Sequence, residues 1–132
     1  MGNKRVAIYK NRLKPNDDEI RIYLDILDYN KIPYIQLDSS DASFWEKLTN
    51  VDYFIFKWGH DHHSHQIAHT ILPVIENNLQ IKCFPNHATY WHYDDKVKQY
   101  FLLHRCGFPA VSSYVFWDRA EALKWVSKRT DF

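Results

Sequence analysis

Two hydrophobic rhythms alternate along the chain. Short continuous apolar runs give way to stretches in which apolar residues recur every third or fourth position. The first run, residues 5–9 (RVAIY), is β-prone. A loop with Pro15 and Asn16 follows. Asp17, Asp18 and Glu19 then place negative charge where a helix dipole favours it, ahead of Ile20, Leu24 and Leu27 at helical spacing. Residues 32–37 (IPYIQL) predict a second strand, on an edge or starting at Pro33, because proline cannot donate to a ladder. Residues 39–41 offer caps for a short helix over 42–48.

Residues 51–58 (VDYFIFKW) predict a third strand whose centre is apolar on both alternating faces, as in a sheet covered on both sides. Ser64 is placed to cap a helix carrying Ile67, Ala68, Ile71, Leu72 and Ile75, which Pro73 is expected to kink or split. Residues 81–84 (IKCF) form a fourth run, stopped by Pro85, and 87–93 a short helical turn. Asp94 and Asp95 open another helix, with Val97, Tyr100, Phe101 and His104 on one face and Gly107 at its end. A fifth β-prone segment, 111–117 (VSSYVFW), precedes a last helix over 119–128, capped by Asp118. Strands alternating with helices predict an α/β fold: a parallel sheet of about four strands with helices on both faces.

Seventeen basic and sixteen acidic side chains nearly cancel, which argues against a dedicated nucleic-acid or polybasic membrane binder. No apolar run approaches the roughly 20 residues of a membrane-spanning helix. Val6 stands where a myristoylation motif after Gly2 wants Ser or Thr. Cys83 and Cys106 lie far apart and form no CxxC, which fits buried thiols in a reducing, cytoplasmic setting.

The segment from Asp95-Lys96 through the helix to Gly107-Phe108-Pro109 and the β-prone run beyond resembles the Asp-Lys…Gly-x-Pro stretch of ATP-grasp enzymes. The approach to it, a strand followed by Pro85-Asn86 and a short helix, is similar too. By motif the resemblance covers roughly residues 81–117, and by topology the whole chain. It implies a Rossmann-like pre-ATP-grasp domain over residues 1–93 and, over 94–132, the linker helix and first strand and helix of an ATP-binding lobe. The chemistry implied is ATP-dependent ligation of a small carboxylate to an amine through an acyl phosphate. ATP and magnesium would be bound mostly by residues beyond Phe132. Charge building on the transferring phosphoryl group needs positioned cations, and the resemblance assigns Lys96 the phosphate contact and Asp95 a structural cap. On this reading the chain is an N-terminal piece of a longer ligase, catalysing nothing alone and packing against the missing C-terminal lobes. A homo-oligomer is compatible with it.

Five of the eight histidines fall between positions 60 and 69. That loop leaves the carboxyl end of the third predicted strand, where ligands collect in doubly wound sheets. It reads as a solvated loop, as a contributor of His60 and His62 to acceptor-substrate binding, or as a metal site using His65 and His69 at i,i+4. After the first strand no GxGxxG fingerprint appears. Arg12 there meets an anionic substrate or lies on a solvated face. Asn86 contacts substrate or closes an Asx turn. The aromatic residues of the last third, Trp117 and Trp125 among them, fit contacts with absent lobes better than nucleobase stacking, given the balanced charge. Two other classes remain open: a stand-alone flavodoxin-like module binding a small ligand, and a metal-dependent hydrolase built on the histidine loop. The length of the natural reading frame separates the first from a ligase, and metal analysis tests the second.

Overall fold

The computed structural model describes residues 5–10, 18–57 and 59–129. These fall into two compact units, residues 1–91 and 92–132.

The first unit is an α/β domain. Its strands are β1 (Val6–Tyr9), β2 (Tyr34–Leu37), β3 (Tyr53–Ile55) and β4 (Lys82–Phe84). All pair in parallel, in the order β2-β1-β3-β4. Helix α1 (Asp18–Tyr29) links β1 to β2; α2 (Phe44–Lys47) and a 3-10 turn (Leu48–Asn50) link β2 to β3; α3 (His62–Asn77) links β3 to β4. A short α4 (His87–Tyr90) follows β4.

Strand residues point alternately to the two faces, and the core divides accordingly. Val6 and Ile8 join Leu27, Leu24 and Ile20 of α1 on one face. Ala7, Tyr9, Phe54 and Cys83 join Phe44, Leu48, Leu72, Ile75 and Tyr90 on the other. The connection from β1 to β2 steps one way across the sheet. The later two step the opposite way with their helices on the opposite face. Reversing direction and face together keeps the hand of every crossover the same, as parallel sheets require.

Helix α3 departs from expectation in two ways. Its N-cap is Asp61, whose carboxylate accepts the Ser64 N–H at 2.8 Å and the Ser64 hydroxyl at 2.6 Å. Ser64 is instead buried within the first turn. Nor does Pro73 split the helix, which runs through it for sixteen residues. Proline forfeits one helical hydrogen bond, at a cost of about 3 kcal/mol, but Ala68, Ile71, Leu72 and Ile75 bury a full stripe against the sheet and offset the loss. In α2 the N-cap position is Ser43, which makes no side-chain cap bond. Asp41 accepts the Ser43 N–H and hydroxyl just ahead of it.

The second unit holds α5 (Lys96–Arg105) and α6 (Arg119–Val126). Asp95 caps α5 by accepting the Lys98 N–H at 2.9 Å, and that bond draws its carboxyl below the usual range. The helix closes on Gly107 at φ 71°, with Phe108 N–H bonded to Leu103 C=O and Gly107 N–H to His104 C=O. That pattern needs a left-handed residue, and glycine takes it without strain. The fifth β-prone run forms no strand: residues 108–116 carry no ladder. Neither α5 nor α6 buries a residue completely.

Candidate functional site

In a parallel sheet ordered 2-1-3-4, the chain leaves β1 and β3 in opposite directions, which opens a crevice beyond their carboxyl ends. Tyr9 ends β1 there, stacked on Phe56 with ring centroids 4.3 Å apart. Its hydroxyl shares a 2.9 Å hydrogen bond with the Ser39 hydroxyl, just past the end of β2, and burial raises its pKa. Beside Ser39 a groove of about 560 Å³ runs along α3, lined by His63, Gln66, Ile67, His69, Thr70 and Ile71. Its polar groups are hydroxyls, imidazoles and one amide, and among the described residues no carboxylate lines it.

Asp61 organises the loop at the head of α3. Its bonds to Ser64, side chain before backbone, hold the carboxyl below its ordinary value of 3.8, with the neighbouring His63 adding to the effect. Gly59 is buried directly beneath: a Cβ there would stand 2.7 Å from Asp61 Oδ2. Gly59→Ala must therefore push the carboxylate off Ser64, and a loss of about 1–2 kcal/mol is expected in chemical denaturation. An unchanged midpoint would show that the cap does not need that close approach.

The same cap carries a pH signature. A carboxyl whose folded pKa is depressed stabilises the fold fully above its unfolded value, and that stabilisation vanishes as pH falls through the folded value. Asp61→Ala is accordingly expected to lower the unfolding midpoint at pH 7, and the gap to the parent should close in acid, below the ordinary value of 3.8. A gap independent of pH would assign the effect to something other than the charged cap.

The anticipated residues occupy different places. His60 and His62 are exposed, in the loop and in the first turn of α3, and neither lines the groove. Asn86 is the N-cap of α4, its Oδ1 accepting the Thr89 N–H at 3.1 Å and sitting 3.0 Å from the Thr89 hydroxyl. Arg12 lies outside the described residues. His65 and His69 are neighbours on α3, ring centroids 6.4 Å apart. They do not assemble a metal centre: among the described residues no group of three or more His, Cys, Asp or Glu side chains is placed to hold an ion, magnesium included.

What the linear reading missed is a row of rings joining α3 to α4. The Tyr90 ring centroid lies 5.3 Å from that of His69 and 5.3 Å from that of His87, the latter edge-on. Glu76 of α3 accepts the His87 N–H at 2.8 Å. Tyr90 is buried, which pushes its phenol up to about 12. The i,i+3 spacing of His87 and Tyr90 was the available signal. Cys83, buried in β4, is likewise pushed up to about 12 by burial, so it holds its proton and serves as core.

In the second unit, Lys96 stands in the first turn of α5 with its side chain 82% exposed. It lies 3.8 Å from Asp94 Oδ1 and 3.3 Å from the Gln99 side-chain oxygen.

No helix among the described residues is long and apolar enough to cross a membrane. No protein-family model, curated protein or solved structure matches this chain. The fold and the carboxyl-end crevice thus define the class, an α/β protein with a four-stranded parallel sheet.

Proposed function

We propose that this chain is the N-terminal region of a cytoplasmic ATP-grasp ligase. Residues 1–93 form its pre-ATP-grasp domain and 94–132 begin its ATP-binding lobe. In the complete enzyme ATP activates a small carboxylate as an acyl phosphate and an amine displaces phosphate. The sheet domain contributes to acceptor binding at its carboxyl-end rim, with Arg12, His60, His62 and Asn86 on the substrate side, and Lys96 contacts the nucleotide phosphates.

One observation carries the reading. Asp95 is committed to the helix cap through Lys98 N–H, so the Asp-Lys pair leaves Lys96 as an exposed cation at the start of α5, its ion pair with Asp94 loose at 3.8 Å. An exposed pair at that distance costs little to give up for a polyanion. The apolar surface of the second unit supports the same view. Val111 and Trp117 are both 85% exposed and Phe108 63%, as expected of elements that await the rest of a lobe.

The test is a screen of ATP-dependent phosphate release by the product of the complete reading frame, against amino acids and small peptides. Release that depends on both an acceptor carboxylate and an amine supports a ligase. A reading frame that ends at Phe132, with a small ligand held in the groove by Ser39 and His69, would favour the flavodoxin-like module instead.

A further inference from the structure

A cavity of about 430 Å³ opens at the amino end of the sheet, the end opposite the Ser39 groove. Arg5 leads into β1 there, and Asn50 ends the 3-10 turn ahead of β3. By alternation Arg5 shares the face of Ala7, and Ala7 stands in register with Ile35, the apolar wall of the cavity. The Arg5 backbone is fixed: its N–H donates to Asp52 Oδ2 at 2.9 Å and its C=O accepts the Asp52 N–H at 3.0 Å. Among the described residues three charged side chains line the cavity: Arg5, Glu46 and Lys47. Lys47 is already neutralised by Asp41, whose Oδ2 lies 2.5 Å from its ammonium. The half-buried Arg5 guanidinium and the exposed Glu46 carboxylate have no ion-pair or side-chain hydrogen-bond partner among the described residues, and they do not reach each other. A guanidinium drawn partly out of water with its five donors unmet is costly to leave so.

We propose that this cavity binds the zwitterionic head of a free α-amino acid, its carboxylate on Arg5 and its ammonium on Glu46. Charge decides among the ligand classes. A phosphate or other polyanion would meet one available cation and be opposed by Glu46, because Asp41 holds Lys47. A simple cation would be opposed by Arg5. A ligand carrying one charge of each sign satisfies both side chains at once, and the planar fork of arginine matches a carboxylate with two parallel hydrogen bonds. Asn50 adds an amide that makes no other side-chain hydrogen bond among the described residues. Ile35 is the one large apolar residue of the lining, which favours a short or polar amino-acid side chain over an aromatic one. The volume suits a small molecule. The proposal stands apart from the ligase reading: it uses only the sheet domain, at the end away from the rim assigned to the acceptor, and needs no nucleotide.

Amide chemical shifts of the full chain, followed by NMR without ATP while L-alanine, L-serine or L-glutamine is added to about 20 mM, test it. Saturable shifts at Ile35 and Asn50 are expected from at least one of the three. Propionate and ethylamine each keep one of alanine's two charged groups, and each should bind at least about tenfold more weakly than the amino acid. Arg5→Gln should weaken binding at least about tenfold, and so should Glu46→Gln, which changes an exposed side chain and should leave the circular dichroism spectrum as it is. The absence of shifts at the cavity with all three amino acids overturns the proposal. So does propionate binding as tightly as alanine, which would make this a plain anion site, or binding that Glu46→Gln leaves unchanged in a folded protein. Shifts confined to His63, His69 and Ser39 would likewise overturn it, placing the amino acid in the other groove.

Discussion

Phe54→Ala is expected to lower the stability of the sheet domain by about 3–5 kcal/mol, measured by chemical denaturation. Phe54 lies at the centre of β3, itself flanked by β1 and β4, and is fully buried. Its ring meets Phe44 edge-on at 6.4 Å and Phe56 at 6.1 Å, so one residue ties the β2–β3 connection to the strand's own carboxyl end. Removing it leaves a cavity walled by strand backbone below and by α2 and α3 above, elements that cannot collapse together without breaking parallel pairing. Small domains are stable by only about 5–15 kcal/mol, so this single truncation consumes a large share. Trp117→Ala is the matched control. It deletes a larger side chain, but one 85% exposed, and should change stability by less than about 0.5 kcal/mol. Equal effects from the two would mean that the core does not lie between the sheet and α3.

The arrangement of the sheet domain was legible because its signals are local and agree. The four apolar runs became β1 to β4, and the helical spacing of Ile20, Leu24 and Leu27 became the inner stripe of α1. Trouble arose where a tertiary effect outweighed a local one. Pro73 is a breaker in isolation, yet the buried stripe around it keeps α3 whole. Asp61 caps where Ser64 was expected because a carboxylate three residues upstream can take both the amide and the hydroxyl of Ser64 at once. The run VSSYVFW has strand composition, but β-propensity expresses itself only where neighbouring strands supply a ladder. Within the second unit, Tyr114 and Phe116 instead lay their rings on Trp125 at 4.2 and 5.6 Å, and Arg129 stacks over Tyr114 and Trp125 while donating to the Tyr114 hydroxyl at 3.1 Å. For the candidate site, the sequence singled out the histidine loop but not which of its imidazoles face the groove. His60 and His62 stand out in the chain, whereas His63 and His69 line the groove, because helical geometry decides which of five clustered imidazoles turn toward Ser39.

The second large effect concerns Lys96. On the ligase reading, Lys96→Ala in the complete enzyme should weaken nucleotide use about 10- to 100-fold, the range expected when one charge-assisted contact to phosphate is lost. The unfolding midpoint should not move, since the side chain is 82% exposed and its pairing with Asp94 is loose. That separation is what makes the variant informative. Asp95→Ala provides the contrast: it removes the acceptor of the Lys98 N–H and frays α5, so it should lower stability and nucleotide use together. Lys96→Arg keeps the charge but spreads it over a wider, planar group, and should recover part of the loss if the phosphate is met as a point charge. Nucleotide affinity unchanged in Lys96→Ala would remove this lysine from the nucleotide site, and with it the observation on which the ligase assignment stands. The cation would then be a solvated residue of the first helical turn, and the groove beside Ser39 would become the place to look for the ligand.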